Sequence, residues 1–180
     1  ALVGGVHDRV GALVGAVPVR TYLIEMAERH LALLEAEGAL DDGLARDIAE
    51  VHLRLAEVRG ARTLGSAGDL AAAEGNVLRA LQLAAPRASA ERSVPGPAQS
   101  ASVWTELELR AKRLTADLAR ARGALQAAFD GYEAVVREAE VALASASPTV
   151  RPALERARAA ALFQRARVGF ARAADDAALE

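Results

Sequence analysis

Leu125, Ala128, Tyr132, Val135, Ala139 and Ala142 follow one another at steps of three and four residues. That spacing lays the apolar side chains along one edge of an α-helix, whereas in a strand it would scatter them over both faces. The same period recurs along the chain. A helix is expected over Ala1–Val14, ended by Gly15 and Pro18. A second, over Val19–Glu37, carries Tyr22, Leu23, Met26, Ala27, Leu31 and Leu34 on one side and stops at Gly38. Asp41 or Asp42 caps a third, whose stripe is Leu44, Ile48, Val51, Leu55 and Val58, ended by Gly60. The fourth starts at Asp69, where an acid complements the helix dipole, and ends at Pro86.

Residues 87–101, RASAERSVPGPAQSA, hold two prolines, a glycine and three serines. They offer little to bury and read as a flexible linker. The fifth helix covers Ser102–Arg122, with Trp104, Leu107, Ala111, Leu114 and Leu118 on its buried edge. Gly123 separates it from the sixth, the SASPT turn starts a seventh over Val150–Arg172, and Asp175-Asp176 open an eighth. Strand signals are nearly absent and aromatics are 3% of the chain. The expected class is all-α, with about seven antiparallel helices joined mostly by short turns.

A length of 180 residues suits one domain, and 52% hydrophobic with 26% charged residues supplies both a core and a solvated face. The net charge of -2 argues against a broad basic surface for nucleic acid. There is no cysteine, which excludes disulfides and thiolate metal sites. No apolar run approaches the ~18 residues of a membrane span, and no signal peptide is evident. The chain begins at Ala1 within an apolar pattern and ends in AALE, so a segment of a longer protein is expected.

Catalytic motifs are weak. His7-Asp8 is the pair found in metal-dependent phosphohydrolases, but only His30 and His52 remain as further histidines, and neither has ligand spacing. A helix-surface pair is the plainer reading. The serines gather mainly in turns, which hold nucleophile geometry poorly. GSAGD lacks a phosphate-loop lysine, and no HRD or DFG occurs. No catalytic residue, cofactor or metal is expected.

Gly68 aligned on Gly123 sets Leu70 on Leu125, Ala73 on Ala128, Val77 on Tyr132 and Ala80 on Val135. Small residues let a neighbouring helix approach and larger ones fill the space beside it. This resembles the tetratricopeptide repeat (TPR): glycine, then alanine five on, a large residue nine on and alanine twelve on. Gly68, Ala73, Val77 and Ala80 fit all four places; Gly123, Ala128 and Tyr132 fit three, with Val135 departing. In the preceding helices Ala56 and Ala116 take the small places, and about five extra residues precede Gly68. The resemblance implies a short TPR-like α-solenoid as a single domain over 1–180. Its parts are a helical hairpin (1–40), unit 1 (44–86), the linker (87–101), unit 2 (102–146) and a truncated unit 3 or capping helix (148–180).

His7-Asp8, Pro18, Arg20, the Leu23–Leu34 helix, IAEVHLRLAEVRG and GDLAAAEGNVLRAL resemble, in order, a segment of bacterial transmembrane serine/threonine kinases. There the segment lies across the membrane from the kinase domain. The resemblance implies a non-catalytic sensing or interaction domain on the extracytoplasmic side of a membrane-anchored parent. The same repeats also occur in bacterial regulators without a kinase, where a cytoplasmic scaffold is implied.

In TPR folds the first helix of each pair lines a concave groove. The matching positions are Glu50, Leu53 and Glu57, then Arg110, Arg113, Asp117 and Arg120, which step by three, four and three. Arginine clamps a carboxylate with two parallel donors. The expected partner is therefore a protein or peptide with an acidic or C-terminal segment. A solvated face with local Arg–Asp pairs is the plainer alternative. Self-association through open repeat ends is a further expectation.

Overall fold

The computed structural model of the chain describes residues 17–36, 40–60, 69–93 and 103–177. They form six helices and no strand: α1 (Val17–Ala36), α2 (Asp42–Gly60), α3 (Leu70–Ser93), α4 (Val103–Ala121), α5 (Leu125–Ala144) and α6 (Arg151–Ala177). The helix expected over Ala1–Val14, and the His7-Asp8 pair on it, lie outside the described residues.

Side chains set several of the starts. Asp41 Oδ1 accepts the Leu44 N–H at 2.8 Å and Asp69 Oδ1 accepts the Ala72 N–H at 2.9 Å, so each acid caps its helix. After α4, Gly123 has φ 80, a left-handed turn that suits glycine, and the Ala124 N–H closes the helix end on Ala119 O at 3.0 Å.

Two expected boundaries are wrong. Helix α3 runs through Pro86 to Ser93, so residues 87–93 are helix and not linker. Tertiary contact outweighs the backbone bond that proline removes. Ala88 is fully buried, Arg87 lies 5.0 Å from the Trp104 ring and bonds Asp42 at 2.9 Å, and Arg92 bonds Glu108 at 2.9 Å. Likewise α6 continues through Asp175-Asp176, where a new helix was expected.

From α2 onward successive helices pack antiparallel, as cross-contacts show. Asp42 meets Arg87, His52 meets Asn76 and Arg59 meets Asp69, so α3 runs back along α2. Glu74–Arg122 with Glu108–Arg92 orders α3 against α4, and Asp117–Tyr132 with Lys112–Glu138 orders α4 against α5. Helix α6 folds back on α5, with Arg158 bonding Glu140 at 3.0 Å. Helices α2 and α4 also touch side by side, running parallel, with Glu57 bonded to Arg110 and Gly60 against Leu118.

The largest core joins α1 to α4 through Leu31, Ile48, Leu53, Val77, Trp104 and Leu107. A second, with Leu109, Val135 and Leu154, joins α4 to α6. A third centres on Tyr132 and Val168. Alanines let the helices close up: Ala45, Ala49, Ala73, Ala84, Ala111 and Ala128 are fully buried. They also widen the buried side of α2 beyond its expected stripe, of which Ile48 and Leu55 are buried. Leu44 is exposed, while Ala45, Ala49, Leu53 and Ala56 face the core. On α1, Tyr22 and Leu34 of the expected apolar side are exposed and only Leu31 is fully packed.

Candidate binding pocket between α2, α4 and α6

The buried edge of α4 holds Trp104, Leu107, Ala111, Leu114 and Leu118. With that edge fixed, the helical period turns Arg110, Arg113, Asp117 and Arg120 toward α2 and α6. Arg113, Asp117 and Arg120 line one cavity of about 660 Å³ with Glu57 and Gly60 of α2 and Gln164 of α6. The arginine edge expected from sequence is gathered here except for Arg110, which is not among the lining residues.

Most of its charges answer one another. Arg110 clamps Glu57, with Nε and Nη2 at 3.1 and 3.0 Å from Oε1 and Nη2 at 2.9 Å from Oε2. Arg113 donates to Asp117 Oδ2 at 3.0 Å and lies 3.9 Å from Glu57. The Tyr132 hydroxyl, on α5, donates to Asp117 Oδ1 at 2.6 Å. Burial foremost, and then the Asp117 carboxylate, push that hydroxyl well above the ordinary tyrosine range. The plainer expectation of local Arg–acid pairs therefore describes Arg110 and Arg113.

Arg120 is different. It approaches the Tyr132 hydroxyl, yet its Nε is buried and has no hydrogen-bond partner. A guanidinium donor left unpaired in this way costs roughly 1–3 kcal/mol.

Two further expected positions, Leu53 and Glu50, also lie outside the lining. Leu53 is fully buried in the main core, because α2 packs on α1, α3 and α4 together, so it has no surface for a partner. Glu50 stands outside the cavity lining and bonds Arg54 one turn on at 2.7 Å. That bond, foremost, holds its carboxyl below the usual range against the opposing effect of burial. Gln164, which lines the cavity, and Tyr132, which is buried and bonds the lining residue Asp117, were missed. Tyr132 carries a signal, a hydroxyl amid an apolar stripe, whereas Gln164 carries none, because only the α6 packing angle brings it in.

A second cavity, of about 650 Å³, opens between α3, α4 and α5. At its wall Glu108 is buried and held by Arg92 and Lys112, each at 2.9 Å, and Lys112 reaches Glu138 at 2.6 Å. Burial opposes the Glu108 charge, but the bonds from Lys112 and Arg92 outweigh it and lower its pKa. Lys112 is also desolvated, and its two carboxylates raise its pKa despite that. No cluster of His, Cys, Asp or Glu among the described residues has the makings of a metal site, and no described helix is long and apolar enough to cross a membrane. His30 sits on the α1 surface with Nδ1 3.0 Å from Met26 O. In comparisons with known protein families, curated proteins and solved structures, nothing matches this chain.

Proposed function

We propose that the chain is a non-catalytic, TPR-like interaction domain that seats an acidic or C-terminal peptide segment between α2, α4 and α6. The observation that carries this is Arg120: it lines a cavity whose other charged groups are paired, and its own Nε is buried without a hydrogen-bond partner. A ligand carboxylate oxygen would supply the missing acceptor. Burial of the repeat positions supports the solenoid reading: Ala73, Val77, Ala80, Ala128, Tyr132 and Val135 are each 3% exposed or less. The parallel contact between α2 and α4 supports it too, since the first helices of successive units stack that way. On the kinase resemblance of residues 1–86, the domain would sense or scaffold for a membrane-anchored serine/threonine kinase, outside the cytoplasm. In a regulator without a kinase it would act as a cytoplasmic scaffold.

The test is binding of acidic peptides with free and amidated C-termini to the wild type and to Arg120→Gln. The expected result is saturable binding that falls about tenfold or more in the variant, with helix content unchanged. Equal binding by both proteins, or none by the wild type, overturns the reading. A second reading, self-association, is favoured by one observation: Phe163 and Phe170 of α6 are 63% and 79% exposed.

A further inference from the structure

Away from that pocket, a polar cluster joins α1 to the rest of the molecule. Glu28 and Glu35 lie seven residues apart on α1, two turns along one face. Glu28 receives Arg59 of α2 at 2.9 and 2.7 Å and Asn76 Nδ2 of α3 at 3.1 Å. Glu35 receives Arg79 of α3 at 2.9 and 3.0 Å. Its Oε1 also lies 3.2 Å from Nε2 of His52 on α2. Nδ1 of the same buried ring lies 2.7 Å from Asn76 Oδ1.

The protons can be counted. Asn76 Nδ2 donates to Glu28 and to Ala72 O at 3.0 Å, and neither of those oxygens can donate back. The amide orientation is fixed by that, so Oδ1 is the atom facing His52, and it only accepts. The Glu35 carboxylate also only accepts. Each ring nitrogen of His52 therefore faces an obligate acceptor, and both bonds exist only when both nitrogens carry protons. Turning the amide over would set its oxygen against Glu28 and Ala72 O, exchanging one lost bond for two.

We propose that protonated His52 is a latch that tightens the docking of α1 on α2 and α3, and that loss of its ring proton loosens α1. The neutral ring keeps one N–H. Its other nitrogen then points a lone pair at Asn76 Oδ1 or at Glu35, in a site that water reaches poorly. The charged groups around the ring pull both ways. Glu35 and, through Asn76, Glu28 on α1 favour the cation, while Arg79 on α3 and Arg59 on α2 oppose it but are drawn off onto those same carboxylates. Burial works against the Glu35 charge, and the bonds from Arg79 and His52 nevertheless hold its pKa below the ordinary range. Apolar packing leaves α1 dependent on these bonds, since Leu31 is its one fully buried hydrophobic side chain among the described residues, with Ile24 and Ala27 partly covered.

The experiment is nitrogen-detected NMR of the His52 ring, with amide hydrogen exchange of the full chain, over a pH series that follows the ring from its protonated to its neutral form. At the acid end both ring nitrogens should carry protons. As the ring titrates, exchange protection of α1, corrected for intrinsic rates, should fall about tenfold or more while α4 and α5 keep theirs. Glu35→Gln can donate an amide N–H to the neutral ring, so its α1 protection should be flat over the same range. His52→Gln should show low, pH-independent protection in α1. A singly protonated ring at the acid end, or α1 protection in the wild type that ignores the titration, overturns the proposal. A wild-type pH dependence retained in Glu35→Gln overturns it as well.

Discussion

At the residue scale, two glycines in helix interiors carry opposite expectations. A Cβ on Gly131 of α5 would lie 2.9 Å from the Ala116 Cβ on α4, closer than carbon atoms pack. Here the glycine permits a close helix contact. A Cβ on Gly75 of α3 would meet nothing within 4 Å, so there the glycine only weakens its helix. Gly75→Ala is therefore expected to stabilise the fold by about 0.5–1 kcal/mol, and Gly131→Ala to destabilise it by about 1–3 kcal/mol despite the same propensity gain. Denaturant midpoints of the two variants check both signs; stabilisation by both would mean that α4 and α5 are not in that contact. Neither glycine could be sorted from sequence, because the difference lies in what stands opposite. Leu53 was misplaced for a related reason: one stripe was allotted to α2, while that helix buries a wide arc that includes Ala45, Ala49 and Ala56. Along α4 and α5 the positions expected to be buried are buried or half-buried, although α4 buries Thr105, Glu108, Leu109 and Ala116 as well.

At the element scale, local rules and tertiary contacts compete most directly in α3. Proline lacks the N–H that would bond the carbonyl four residues back, and its ring crowds that carbonyl. Sequence reasoning stops the helix at Pro86 on those grounds, and nothing in sequence announces that Arg87 will reach Trp104 and Asp42, or Arg92 Glu108. Pro86→Ala is expected to raise stability by about 1–3 kcal/mol while leaving those contacts in place. A melting temperature at or below that of the wild type would mean that the proline ring packs usefully. Where α3, α4 and α5 meet, Glu108 gives the junction a pH dependence. Its folded pKa is lowered, so its contribution is fully present above the ordinary glutamate range, about 4.3, and is lost as pH falls through the lower, folded value. Glu35 and Glu50 act in the same direction. Thermal stability should therefore decline below about pH 4.3. Glu108→Gln should be less stable at neutral pH by about 1–3 kcal/mol and decline less steeply in acid. An acid decline equally steep in that variant would assign it to other carboxylates.

At the scale of the whole molecule, stacking each helix on the next leaves a row whose last described member, α6, has its outward face uncovered. Phe163 and Phe170 stand seven residues apart on that face, two turns along, with exposed alanines at 159, 166 and 174 between and beyond them. Burying two phenylalanine rings against a second copy stabilises the contact by about 3–6 kcal/mol before the cost of association. That alone supports a weak complex. The expected behaviour is a mass that rises with protein concentration in light scattering coupled to size exclusion. Replacing both phenylalanines by serine should leave helix content unchanged, since both side chains are solvated, and should hold the mass at the monomer. This outcome separates the two readings of function, because the pocket at Arg120 does not include either phenylalanine. Peptide binding that survives in the monomeric double variant would place recognition in the pocket and assembly at α6. Binding lost together with assembly would mean that the partner is held only where two copies meet. A wild type that stays monomeric at every concentration would remove the assembly reading and leave the pocket to stand alone.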